Sequence, residues 1–116
     1  MESILTSIKK LLGIPEEQDD FDVDIIMHIN SVFANLCQIG VGPSNGFSIE
    51  DSSSAWTDFI SDEHWFFAFI KTYVYMKVKL VFDPPPSAAV LASYKESIQE
   101  YEWRLNAAAD TSKNST

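Results

Sequence analysis

The apolar stretch at residues 65–82 restricts the fold more than any other part of the chain. The sequence Asp-Pro-Pro-Pro follows it at residues 83–86. The apolar residues of the stretch recur in two stripes at helical spacing, which predicts a helix from near Asp62 to Val81 or Phe82. The prolines end that helix because they lack a backbone N–H and disfavour helical geometry in the preceding residue. A helix that is apolar around so much of its circumference lies at the centre of a fold or between subunits.

Three lysines within this stretch argue against a membrane span. Lys77 lies about 120° or more around the helix from Lys71 and Lys79, so the three cations point to different sides. Each of them would cost a few kcal/mol near the middle of a bilayer. We therefore expect a buried or interfacial helix and no membrane partner.

Apolar residues at helical spacing predict three further helices. One covers about residues 3–12, and a glycine and a proline follow it. Another runs from Asp20 or Asp22 to Gln38, and its acidic start suits the positive end of the helix dipole. The last covers about residues 87–107, with charged residues opposite its apolar side.

The segment 40–61 differs from the rest of the chain. It opens with the turn-rich sequence GVGPSNG, and Phe47 and Ile49 alternate with a polar residue. The fold class is therefore mostly α, a bundle of about four helices with a projecting loop or short β-hairpin between the second and third. Residues 1–108 form the domain, and the polar stretch 109–116 is predicted to be a flexible tail.

The charge balance and the absence of catalytic motifs exclude several classes of function. With 17 acidic and 8 basic residues, the net charge of −9 repels the phosphate backbone of nucleic acids. Cys37 and His28 lie about 13 Å apart along one helix, too far for a nucleophile and its base. Asp62, Glu63 and His64 are consecutive, so they diverge on a helix and cannot share one metal ion. We expect no enzyme activity and no catalytic, cofactor-binding or metal-binding residues.

Aromatic side chains are concentrated between residues 56 and 75. A domain of this size can hardly bury them all, and aromatic residues are enriched at protein interfaces. The excess therefore predicts a subunit or partner interface. With the closing Trp-Arg pair of the last helix, the candidate interface residues are Trp56, Phe59, Trp65, Phe66, Phe67, Trp103 and Arg104.

Three stretches of the sequence resemble the bacteriophage head–tail connector (head-completion adaptor) family, of the type that forms a ring on the portal. They are LLGIPEEQDDFDVDIIMHINSVFANL, FSIEDSSSAWTDFI and KTYVYMKVKLVFDPPPSAAVLASYKESIQEYEWRLN. The third is the most specific, because an Asp-Pro-Pro turn is followed about twenty residues later by Glu-Trp-Arg-Leu-Asn. The resemblance covers about residues 1–108 and carries over no catalytic residue.

The resemblance implies a virion protein at the head–tail interface, which is present in the host cytoplasm during assembly. Such proteins form rings, commonly dodecameric, that dock on the portal protein after DNA packaging and extend its channel. The ring then offers a platform to a stopper or tail-completion protein. DNA passes through the channel without sequence-specific binding, and no cofactor is implied.

Elementary physics agrees with this role but leaves an alternative open. A ring needs two different complementary faces per subunit, and the third and first predicted helices are candidates for them. Negative charge along the channel would let DNA slide, because it repels phosphates. The alternative is an acidic helical adaptor or a DNA-mimicking regulatory protein, which would bind a basic protein as a monomer or dimer.

Overall fold

The computed structural model describes residues 2–61, 63 and 67–114 of the 116-residue chain, with side chains up to Ala109. This part of the chain confirms the mostly α fold. It contains one short helix more than the sequence predicts. The helices are α1 (Ile4–Leu12), α2 (Asp22–Gln38), α3 (Trp56–Phe59), α4 (Phe67–Phe82) and α5 (Ala88–Asn114). None of these helices is long and apolar enough to cross a membrane.

Helix α1 begins and ends where its sequence predicts. Ser3 is the N-cap, and its hydroxyl accepts a hydrogen bond from the backbone N–H of Thr6. Gly13 ends the helix in the left-handed conformation, with φ of 81°. The apolar side of α1 is buried in the core through Ile4 and Ile8. That side is therefore used within the subunit, and the candidacy of α1 for a ring face stays a prediction.

Helices α2 and α4 form the centre of the core and run antiparallel. Phe21, before α2, meets Phe82 at the end of α4 edge to face, with ring centroids 5.6 Å apart. At the opposite ends, Trp56 contacts both the Phe33 ring of α2 and the ammonium of Lys71 of α4. Helix α4 is buried on the sides that face α1, α2 and α5, so it is a central helix rather than an interfacial one.

Helix α5 packs antiparallel against α4. The Phe69 and Tyr101 rings stack with centroids 3.9 Å apart and an interplanar angle of 7°. The helix continues to Asn114 instead of ending near residue 107, and both Leu105 and Ala109 are buried. The backbone at 109–114 is thus helical, while the mobility of the segment 109–116 stays a prediction.

The segment 40–61 packs against the bundle as a loop that leads into the short helix α3, and it contains no β-hairpin among its described residues. The side-chain amide of Asn30 in α2 holds the loop at Ile49. It accepts a hydrogen bond from the Ile49 N–H (2.7 Å) and donates one to the Ile49 carbonyl (3.0 Å). One isolated bridge joins Ser3 to Ala55. The loop is therefore anchored rather than projecting, because its apolar residues, including Val41 and Ile49, are buried.

Candidate interaction surfaces

Two of the predicted interface residues, Trp56 and Phe59, belong to the core of the subunit. They are only 2% and 3% exposed. The indole N–H of Trp56 donates a hydrogen bond to the Ser7 hydroxyl at 2.8 Å, and the Phe59 ring lies 4.5 Å from that of Phe33. Side chains so deeply buried have almost no surface left for a partner. This burial argues against an interface role for Trp56 and Phe59, which stays a prediction.

The next three candidates lie near the start of α4. Trp65 and Phe66 fall outside the described residues. Phe67 is half-buried, and the ammonium of Lys71 lies 5.5 Å from its ring centroid. The described aromatic residues between 56 and 75 are all buried or half-buried, so the expected excess of exposed rings is not visible among them.

Trp103 and Arg104 are exposed on the outer side of α5. Trp103 is 71% exposed, which is unusual because tryptophan is highly buried on average. It lies about 140° around the helix from the buried Ile98, and hence on the solvent side. Arg104 pairs with Glu100 one turn earlier, with a nitrogen–oxygen distance of 2.9 Å. Tryptophan and arginine are the residue types most often found at binding hot spots.

A second exposed apolar surface, which the sequence does not predict, lies where four helix ends meet. Helix α1 ends there, α2 begins beside the end of α4, and a five-residue turn leads into α5. Apart from Trp103, all exposed large apolar side chains of the described residues lie within about two turns of these ends. They are Leu11, Phe21, Val23, Met27, Val81 and Val90.

Exposed carboxylates surround this surface. They come from the connection between α1 and α2, from the first turn of α2 and from the turn after α4. The residues are Glu16, Glu17, Asp19, Asp20, Asp24 and Asp83. We call these carboxylates and the six apolar side chains of the preceding paragraph the acidic pole.

A buried lysine joins the α1 and α2 parts of the acidic pole. Lys9 of α1 is 3% exposed, and its ammonium donates hydrogen bonds to the carbonyl oxygens of Glu16 (3.0 Å) and Gln18 (2.7 Å). The ammonium also lies 2.9 Å from Asp22 Oδ1 at the start of α2. That buried oxygen has no hydrogen bond of good geometry, so the ion pair is its main compensation.

Tyrosine hydroxyls link α4 to α5 through hydrogen bonds. The Tyr73 hydroxyl donates a hydrogen bond to Glu102 at 2.9 Å, and burial followed by this carboxylate raises the pKa of Tyr73. Burial and a hydrogen bond with Tyr94 raise the pKa of Tyr75 to about 12. Phenols with raised pKa values keep their protons at neutral pH, so both hydroxyls can keep these hydrogen bonds between α4 and α5.

Cys37 and the possible metal ligands are the other chemically reactive groups that the structure describes. Cys37 is half-buried, and burial raises the pKa of its thiol, which is the opposite of what a nucleophilic cysteine needs. Among the residues that the structure describes, no cluster of three or more His, Cys, Asp or Glu side chains could hold a metal ion. Asp62 and His64 lie outside those residues.

Comparison with known proteins agrees with the resemblance in the sequence. The family described as "Phage connector protein" matches residues 4–112. No curated protein and no solved structure matches the chain. The matching family is structural rather than enzymatic. Because the match covers almost all of the 116 residues, this chain belongs to the phage connector protein family and is a structural component of the phage head–tail connector.

Proposed function

We propose that this connector protein assembles into a ring that docks on the portal protein, completes the head and extends the DNA channel towards the tail. The main support for the proposal is the exposure of Trp103, whose side chain is 71% exposed on the outer side of α5. In a ring, one face of each subunit contacts a different face of the next. The Trp103 side of α5 is one of these two faces, and a stopper or tail-completion protein binds the finished ring.

The pairing of the basic residues supports free passage of DNA through such a channel. Lys9, Lys71, Lys77 and Lys79 each form an ion pair with a carboxylate. A lysine paired in this way offers less attraction to a phosphate. Together with the net charge of −9, this pairing disfavours tight binding of DNA. The family match favours this role over that of an acidic regulatory protein or DNA mimic.

Replacing Trp103 with Ser tests the ring contact. The side chain is mostly exposed, so the variant should keep the fold and the melting temperature of the wild type. We expect native mass spectrometry and electron microscopy to find rings with the wild type and portal protein, and mainly unassembled subunits with Trp103→Ser. Truncating a tryptophan hot spot costs about 2 kcal/mol or more per contact, which a ring multiplies.

A matched control lies on the same helix. Lys95 of α5 is exposed and forms no ion pair within the described part of the chain, so Lys95→Ala changes the surface of α5 without removing apolar area. Rings should form normally with this variant. Normal ring yield with Trp103→Ser would contradict the assignment of this face, and a monomer that ignores portal protein would contradict the ring.

A further inference from the structure

The acidic pole combines two features that rarely coexist on the surface of a soluble subunit. Val23 and Met27 are 73% and 62% exposed, and they lie one turn apart on the outer side of α2. Phe21 and Val81 are further exposed apolar side chains, at the start of α2 and the end of α4, where the Phe21 and Phe82 rings meet. Clustered exposed apolar side chains with a polar rim are typical of protein interaction sites.

The charge around this area determines what can cover it. Six exposed carboxylates surround it, whereas the nearby cations are mostly engaged. Lys9 is buried against Asp22, and Lys79 pairs with Asp83, so Lys10 is the one exposed cation at this end that forms no ion pair within the described residues. A partner must therefore bring positive charge together with apolar side chains.

A second copy of this chain does not meet that requirement. Its net charge is −9. Lys71, Lys77 and Arg104 are paired with carboxylates, so Lys95 is the one exposed, unpaired cation away from the pole among the side chains described up to Ala109. Contact between the acidic pole and another copy would thus place like charges together, which opposes binding.

We propose that the acidic pole is a docking surface for a basic amphipathic segment of a different protein, whose apolar side chains cover Val23 and Met27 while its Lys or Arg residues meet the carboxylates. This goes beyond the ring, because a single subunit carries the whole acidic pole. It also gives the acidic start of α2 a role in recognition in addition to its favourable interaction with the helix dipole.

The test uses the full chain and two fluorescent amphipathic peptides of identical pattern, one of Lys and Leu and the other of Glu and Leu. We expect fluorescence anisotropy to detect binding of the Lys/Leu peptide alone. Binding should weaken as salt is raised above about 0.1 M, where exposed charges are screened. Val23→Ser combined with Met27→Ser should weaken it about tenfold, the equivalent of about 1.4 kcal/mol. Both side chains are exposed, so circular dichroism should find the fold unchanged.

Trp103→Ser is the matched control, since it removes an exposed apolar side chain of α5 away from the acidic pole. It should bind the Lys/Leu peptide like the wild type. Failure of the wild type to bind, equal binding of the Glu/Leu peptide, or equal loss in the control would overturn the proposal. Sedimentation could also overturn the proposal. If the wild type self-associated and the Val23 and Met27 substitutions abolished the self-association, a second copy of the chain would cover the acidic pole. Ring assembly depends on Trp103, so failure of the docking proposal leaves the ring proposal standing.

Discussion

Replacing Lys9 with Met tests how the α1 and α2 parts of the acidic pole are joined. The lysine ammonium contacts the carbonyl oxygens of Glu16 and Gln18 and the carboxylate of Asp22, so it joins the end of α1 to the start of α2. Methionine keeps the apolar stem of the side chain but removes the charge and all three donors. We expect Lys9→Met to destabilise the protein strongly without changing its fold.

The size of the effect follows from the burial of the two partners. Removing one member of a buried ion pair costs about 3–5 kcal/mol, because the other member is left uncompensated. Asp22 is 27% exposed and regains some water, which places the expected loss near about 3 kcal/mol. At about 4 °C per kcal/mol for a domain of this size, the melting temperature should fall by about 12 °C.

Urea denaturation followed by tryptophan fluorescence and circular dichroism measures this loss directly. Lys10→Met is the control, because Lys10 is adjacent, exposed and forms no ion pair within the described residues. Its free energy of unfolding should stay within about 0.5 kcal/mol of the wild type. If the two variants were equally stable, Lys9 would not hold α1 to α2. In a double-mutant cycle with Asp22→Asn, additive losses would show that the ion pair contributes nothing.

Three further substitutions test other parts of the fold. Asn30→Ala should lower the free energy of unfolding by about 2 kcal/mol, since it leaves the Ile49 N–H and carbonyl unpaired. A rate of proteolysis of the loop equal to that of the wild type would contradict this. Gly42→Ala should cost about 2 kcal/mol or more in urea titrations, because φ is +93° and a Cβ would lie 2.4 Å from Phe59 Cε1; wild-type stability would refute the clash. Burial raises the pKa of Tyr73 above its unfolded value near 10. The stability that this tyrosine contributes is therefore complete below pH 10 and declines above it. The melting temperature of Tyr73→Phe should depend less on pH, from 10 upwards, than that of the wild type.

The sequence predicted α1 well because local chemistry fixes its ends at Ser3 and Gly13. Helix α2 runs from Asp22, the later of the two predicted starts, to the predicted Gln38. Helix α4 begins at Phe67 rather than near Asp62, and Glu63 lies in a turn. The sequence predicted that α5 ends near residue 107, because the residues that follow are mostly polar. The helix instead continues to Asn114, and Ala109 is buried in the core. The four-residue helix α3 was missed because its length gives no periodicity to detect.

Long-range packing explains why the interface residues were harder to predict. An aromatic-rich sequence does not reveal which rings face inward, and the indole of Trp56 finds its partner, Ser7, 49 residues away. Lys9 was missed because lysine is normally exposed, although its position four residues after Leu5 places it on the buried side of α1. The exposed positions of Val81 and Phe21 arise where the helices that could cover them end, which sequence periodicity cannot show.

The central position of α4 determines where contacts with other proteins can form. Since α1, α2 and α5 cover α4, the exposed large apolar side chains among the described residues are Trp103 on the outer side of α5 and those of the acidic pole. Trp103 lies fifteen residues after Ala88, or about 22 Å along α5 from the end of the bundle that carries the acidic pole. A neighbour at Trp103 therefore leaves the acidic pole accessible. The two proposed contacts should be independent, so substitutions at Val23 and Met27 should preserve rings and Trp103→Ser should preserve peptide binding.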